Sequence, residues 1–138
     1  MKHTLAVTSG VVFVSELDRS LEFYRDVFGF AVAIHDREAA LLLAQGGFQL
    51  YLIGRGSRAQ HSSGGVGLQY LIWSTDDGDE LGLLAEALKD HGVHTETYTS
   101  GAVTFLEARD PDGIRVVIAH PSPTERPRSV LGARLYSW

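Results

Sequence analysis

The same order of strand-like and helix-like segments occurs twice in this chain, and that duplication restricts the fold more than any single motif. Ser9-Gly10-Val11-Val12-Phe13-Val14 is β-branched and aromatic, as a buried strand requires. Ser15, three positions before Asp18, reads as a capping-box-like helix start. Leu17, Leu21, Tyr24 and Phe28 then recur on one helical stripe that Gly29 terminates. Strand-like runs follow at Phe30 to His35, Ala39 to Ala44 and Phe48 to Ile53, with Gly46-Gly47 as the last turn. The second copy opens with a strand over Val66 to Ser74, and Asp77 with Glu80 gives another capping-box-like start. Leu81, Leu84 and Leu88 form its helix stripe, and Gly92 ends it. Strands at Val93 to Tyr98, Val103 to Ala108 and Ile114 to His120 complete it, with Asp112-Gly113 as a hairpin turn. Glu16 and Asp76 are sixty positions apart, and Gly29 and Gly92 sixty-three, so each half is a β-α-β-β-β unit.

The expected organisation is one domain over residues 1–138: a first module at about 5–54, a linker at 55–65, a second module at about 66–120 and a tail at 121–138. The 138 residues, 44% hydrophobic and 21% charged, suffice for one ordinary core. Arg55 to Gly65 is rich in Gly, Ser and Arg and reads as a mobile linker or lid. Pro121, Pro123 and Pro127 impose an extended segment, after which Leu135, Tyr136 and Trp138 make a tail expected to dock. Met1-Lys2-His3-Thr4 lacks the apolar stretch of a secretory signal, and no apolar run reaches the ~20 residues that cross a bilayer. The expected location is the cytoplasm, with no membrane partner. No cysteine is present, which removes disulfides, thiolate metal sites and a cysteine nucleophile. A net charge of −5 argues against nucleic acid, whose phosphates demand clustered Lys and Arg.

Two stretches carry a family resemblance. The run from Val14 to Phe30, with Ser20-Leu21-Glu22-Phe23-Tyr24 and Phe28-Gly29-Phe30, resembles the opening of the vicinal oxygen chelate superfamily (glyoxalases, bleomycin-resistance proteins and extradiol dioxygenases). Arg109-Asp110-Pro111-Asp112-Gly113 is similar to that family's final hairpin. The resemblance covers roughly residues 5–120. It implies an α+β fold in which two β-α-β-β-β modules pair, curving mixed sheets around a shared cleft. By residue type alone, Phe23 and Tyr24 read as helix core, and Asp110 and Asp112 as turn formers rather than catalytic carboxylates.

Metal-dependent members of the family place a His on the first strand, a His on the strand opening the second module and a Glu on the last strand. Carried onto this sequence, Ser9, Gln69 and Val117 fall at those positions. Valine has no lone pair, and a hydroxyl and an amide are weak neutral ligands for a divalent ion. A shift of one residue offers Thr8 or Gly10, Leu68 or Tyr70, and Val116 or Ile118, none of them a strong ligand. The expectation is therefore a protein with no metal, no cofactor and no catalytic residue inherited from the family. Among the six histidines only His35, late in the second strand, is placed to reach the cleft.

Strand alternation from those three positions lists the cleft walls. Ser9 brings Val11 and Phe13, Gln69 brings Leu71 and Trp73, and Val117 brings Arg115 and Ala119. Leu50 and Leu52 suit a face against a helix, leaving Gln49 and Tyr51 toward the cleft. Trp73, Tyr51 and Phe13 are the expected ligand contacts, with Gln69, Gln49, Ser9, His35 and Arg115 as polar partners. Such walls fit a small-molecule site. Two classes of function follow. One is a metal-free binding protein similar to the bleomycin-resistance branch, a homodimer holding an aromatic or cationic ligand. The other is a lyase, isomerase or dioxygenase-like enzyme of the superfamily, with a non-standard or absent metal site, using His35, Tyr51 or Glu107 for proton transfer.

Overall fold

Val12 and Val14 alternate with Ser9, Val11 and Phe13 in β1 (Ser9–Val14), and the two sets part to opposite faces of a sheet. The computed structural model describes residues 4–56 and 65–125. It divides the chain into two compact units, Met1–His61 and Ser62–Trp138. The expected docking tail, most of the expected linker, and His3 and His61 lie outside the described residues.

In the first unit β1 is followed by α1 (Leu17–Asp26), β2 (Ala31–His35), β3 (Ala39–Leu43), a 3-10 turn at Gln45–Gly47 and β4 (Gln49–Gly54). The sheet order is β1-β4-β3-β2, with β1 parallel to β4 and the other neighbours antiparallel. Helix α1 packs on β4 and β3. It buries Leu17, Leu21, Phe23 and Tyr24, while Leu42, Leu50 and Leu52 are buried on the sheet. Each such leucine contributes about 1.5–3 kcal/mol by leaving water. Gly29 takes φ +74° and reverses the chain after the helix, a conformation glycine adopts without a Cβ clash. The helix is not capped by Ser15. Its N-cap is Glu16, whose side chain makes no capping bond, while Ser15 Oγ accepts from Arg19 Nη2 at 3.0 Å.

The second unit runs β5 (Leu71–Ser74), α2 (Gly78–Asp90), β6 (Glu96–Ser100), β7 (Val103–Arg109) and β8 (Arg115–His120). Its sheet order, β5-β8-β7-β6 with β5 parallel to β8, repeats that of the first. Helix α2 packs on β8 and β7. At its start Asp77 Oδ1 accepts from the Asp79 amide at 2.9 Å, and Thr75 Oγ1 donates to Glu80 at 2.7 Å. The His120 ring lies against Gly78, 3.3 Å from where a Cβ would sit, and its Nδ1–H donates to the Thr75 carbonyl at 2.8 Å. The expected turn former Asp110 is buried and accepts from the amides of Asp112 and Ile114, at 2.8 and 3.0 Å.

Each unit is therefore an α+β layer pair, one helix on one four-stranded mixed sheet that does not close, as the duplication predicts. The strand expected over Val66 to Ser74 is shorter, because residues before Leu71 are drawn into a bend. Gln69 Nε2 donates to the carbonyls of Gly65 and Gly67, at 2.7 and 3.0 Å. That segment satisfies itself locally instead of extending the ladder.

Candidate functional site

The face of the first sheet that does not carry α1 is built in rows set by strand register. Ser9 lies opposite Gln49, Val11 opposite Tyr51, and Phe13 opposite Ile53. Gln49 and Tyr51 in turn pair with Leu43 and Leu41. Ser9, Phe13, Gln49 and Tyr51 thus share one face, as alternation predicts, while Leu50 and Leu52 point to the helix. Tyr51 Oη donates to Gln49 Oε1 at 3.0 Å. Around this half-buried pair, Val11 is 64% and Phe13 56% exposed, and Leu43 and Ile34 are exposed as well. The guanidinium of Arg55 lies 4.9 Å from the Phe13 ring centroid, so one ring face already carries a cation.

His35 is not on this face. A bulge between Val32 and Ile34 inserts one residue into β2, so His35 pairs with Ala40, on the side of Leu52. Its Nε2 lies 3.1 Å from Asp18 Oδ1 on α1, both side chains facing solvent. The expectation that His35 reaches the ligand face fails for that reason.

In the second sheet the expected grouping of Gln69, Leu71 and Trp73 with Val117 also fails. Leu71 pairs with Val116, Ile72 with Val117, and Trp73 with Ile118. Ile118 pairs with Leu106 and His120 with Thr104. Because His120 meets Gly78 of α2, Trp73 stands on the helix-bearing face. The error is one residue long. The helix caps are Glu16 and Asp77, not Glu16 and Asp76, so Trp73 corresponds to Val12 rather than to Phe13. A one-residue slip exchanges the faces of a strand. Gln69 is engaged with its own loop, as described above.

Tyr70 and Ile72 take the place expected of Gln69 and Leu71, packing against the buried cluster of Val103, Phe105, Val117 and Ala119. On this face Arg115, 3% exposed, donates through Nε to Glu107 Oε1 and through Nη2 to Glu107 Oε2 at 3.0 Å. Its guanidinium lies 4.6 Å from the Tyr70 ring centroid. Tyr98 Oη donates to Glu107 Oε2 at 3.1 Å, and its ring stacks on Phe105 at 5.5 Å between centroids. Burial first, then the Glu107 charge and hydrogen bond, push the Tyr98 phenol up to about 12. Burial also raises Tyr70, with Arg115 working against it. Of this cluster the sequence pattern selected Arg115 and named Glu107. Tyr70 and Tyr98 become visible by counting alternate residues outward from Glu107 and Arg115 across the sheet.

The residues at the family's metal positions do not fit a divalent ion. The resemblance assigns Ser9 on β1, Gln69, and Val117 on β8, and strand register puts Tyr70 in the place expected of Gln69: a hydroxyl, an amide or a phenol raised in pKa, and a hydrocarbon. In the second unit the Arg115 guanidinium lies over the Tyr70 ring and is itself paired with Glu107, so that carboxylate is engaged by a cation. Among the described residues no group of three or more His, Asp or Glu side chains is placed to hold a metal. The groups considered for proton transfer are likewise apart. His35 faces the helix side, Glu107 is gripped by Arg115, and Tyr51 donates to an amide.

Twin β-α-β-β-β units with open mixed sheets define a duplicated α+β class of protein. The chain belongs to the Glyoxalase/Bleomycin resistance protein/Dioxygenase superfamily, which its sequence matches over residues 2–118. Among solved structures it is similar to a glyoxalase/bleomycin resistance protein/dioxygenase domain from Frankia sp. EAN1pec. That match has TM-score 0.76 and 20% identity, covering 85% of this chain and 98% of the other. A lactoylglutathione lyase from Agrobacterium tumefaciens matches with TM-score 0.67 and 23% identity, covering 86% and 95%. A possible glyoxalase from Bacillus cereus matches with TM-score 0.69 and 16% identity, covering 83% and 98%. At these identities the likeness is one of fold. No curated protein matches the sequence.

Proposed function

We propose that this chain is a metal-free small-molecule-binding protein, similar in role to the drug-sequestering bleomycin-resistance members of its superfamily. The observation that carries this reading is the first unit's open face, where the Tyr51–Gln49 pair sits among exposed Val11 and Phe13. Apolar surface with a few oriented polar groups is how ligand sites are made. The replacement of the family's metal donors by Ser9, Gln69 or Tyr70, and Val117 supports binding without a chelate. The ligand is an aromatic molecule. A cationic group over Phe13 would meet Arg55 already there, so a neutral ring is the better fit. In this reading the protein is a cytoplasmic homodimer, with neither nucleic acid nor membrane as partner.

The experiment is a thermal-shift screen of aromatic antibiotics and metabolites against the wild type and Phe13→Asp, with and without chelator. The expected result is a ligand that raises Tm of the wild type regardless of chelator and loses its effect in Phe13→Asp. A ligand effect that vanishes on chelation and returns with one equivalent of zinc, nickel, manganese or iron overturns the metal-free reading.

A further inference from the structure

Resting on that binding reading, we infer that the Tyr51–Gln49 pair is a specificity element that recognises a planar amide or lactam edge. Tyr51 spends its one proton on Gln49 and keeps an acceptor lone pair, while Gln49 keeps both N–H donors beside an oxygen that Tyr51 already engages. The Tyr51 proton is committed to Gln49 Oε1 at 3.0 Å, so the phenol oxygen faces a ligand as an acceptor. The Gln49 carbonyl oxygen is the one that Tyr51 uses, so its NH2 faces a ligand as a donor. An acceptor beside a donor complements a group that offers one N–H and one C=O side by side. A carboxylate brings two acceptors and leaves Tyr51 Oη facing a lone pair. An amidinium brings two donors and sets N–H against N–H at Gln49.

The surroundings support the assignment. Gln49 and Tyr51 stand at alternate positions of β4 and thus on one face, with Ser9 and Val11 opposite them on β1. Both are half-buried while Val11, Phe13, Ile34 and Leu43 around them are exposed, so a flat ring can lie on hydrocarbon with its polar edge at the pair. A cation already stands at this face, Arg55 at Phe13, which disfavours an amidinium further. Unmet donors and acceptors in a desolvated contact are what give such sites their discrimination, about tenfold or more per mismatch.

Three probes of equal shape test this: 2-naphthamide, 2-naphthoate and 2-naphthamidinium, with 2-methylnaphthalene as the apolar reference, titrated by fluorescence into the full-length protein. The wild type is expected to bind the amide at least tenfold more tightly than the other three. Tyr51→Phe is expected to lose about tenfold for the amide and little for the hydrocarbon. Gln49→Glu presents a carboxylate to the ligand and is expected to move the preference to the amidinium, a change that a merely structural role would not produce. Equal binding of amide and hydrocarbon overturns the inference while the binding reading stands. So does an unchanged ranking in Gln49→Glu. Failure of all four to bind overturns both.

Discussion

Arg115 grips Glu107 through Nε and Nη2 from the neighbouring strand, a nearly buried ion pair on the helix-free face of the second sheet. The Arg115 side chain is 2% and that of Glu107 16% exposed, so neither charge has water enough to stand alone. Removing one partner therefore costs more than the pair contributes. Glu107→Gln is expected to destabilise the protein by about 3–5 kcal/mol, because it removes the carboxylate charge that balances the buried guanidinium. The double variant Glu107→Leu with Arg115→Met is expected to recover part of that loss, because two packed hydrocarbons need no partners, while Tyr98 Oη gives up the Glu107 oxygen to which it donates. Urea denaturation of the two variants checks it, and a double variant as unstable as the single one refutes it.

Tyr98 gives a pH dependence with a definite sign. Its folded-state value of about 12 lies above the ordinary phenol value of 10.0, so the native state holds the proton more tightly than the unfolded chain. The stabilisation is complete below pH 10 and is lost as pH rises toward 12. Absorbance at 295 nm should show tyrosine ionisation extending toward pH 12, and Tyr98→Phe should remove the latest part of it while the raised Tyr70 step remains. Stability of the variant is expected to fall less steeply over the same interval.

Ser20 is a buried hydroxyl in α1 with no hydrogen-bond partner among the described residues. Ser20→Ala removes an unsatisfied polar group and adds a better helix former, so a gain of about 1 kcal/mol is expected. A lower urea midpoint in the variant would show that the hydroxyl is satisfied.

Asp77 caps α2 through its carboxylate, whereas Glu16 at the start of α1 makes no such bond. Asp77→Ala is therefore expected to cost about 1 kcal/mol and Glu16→Ala much less. Thermal denaturation of the two variants side by side measures the difference between the repeats.

Trp73 stands on the helix side of its sheet, where Ile118 is its neighbour across the ladder. Trp73→Phe is expected to lower stability by no more than about 1.5 kcal/mol and to leave aromatic ligand binding unchanged. Loss of binding in a stable Trp73→Phe protein would return the residue to the ligand site.

The twofold order of strands and helices was legible from local pattern, because period-2 and period-3.6 hydrophobicity are properties of neighbouring residues. β1 and β7 begin where the pattern places them, at Ser9 and Val103. The same alternation correctly put Phe13, Gln49 and Tyr51 on one face, since β1 and β4 are regular along that length. It failed where one residue was gained or miscounted. The bulge in β2 turned His35 away, and the cap at Asp77 rather than Asp76 exchanged the faces of Trp73 and Ile72.

By itself, then, the sequence determined the repeat, the α+β class and the helix stripes. These follow from which side chains are present and how they alternate. Tertiary structure decided which polar groups meet. Arg115 finds Glu107 from the neighbouring strand, and Tyr98 finds the same carboxylate nine residues away. Such pairings depend on cross-strand register, and register is fixed by long-range ladder bonds and by bulges whose position a one-dimensional pattern does not carry.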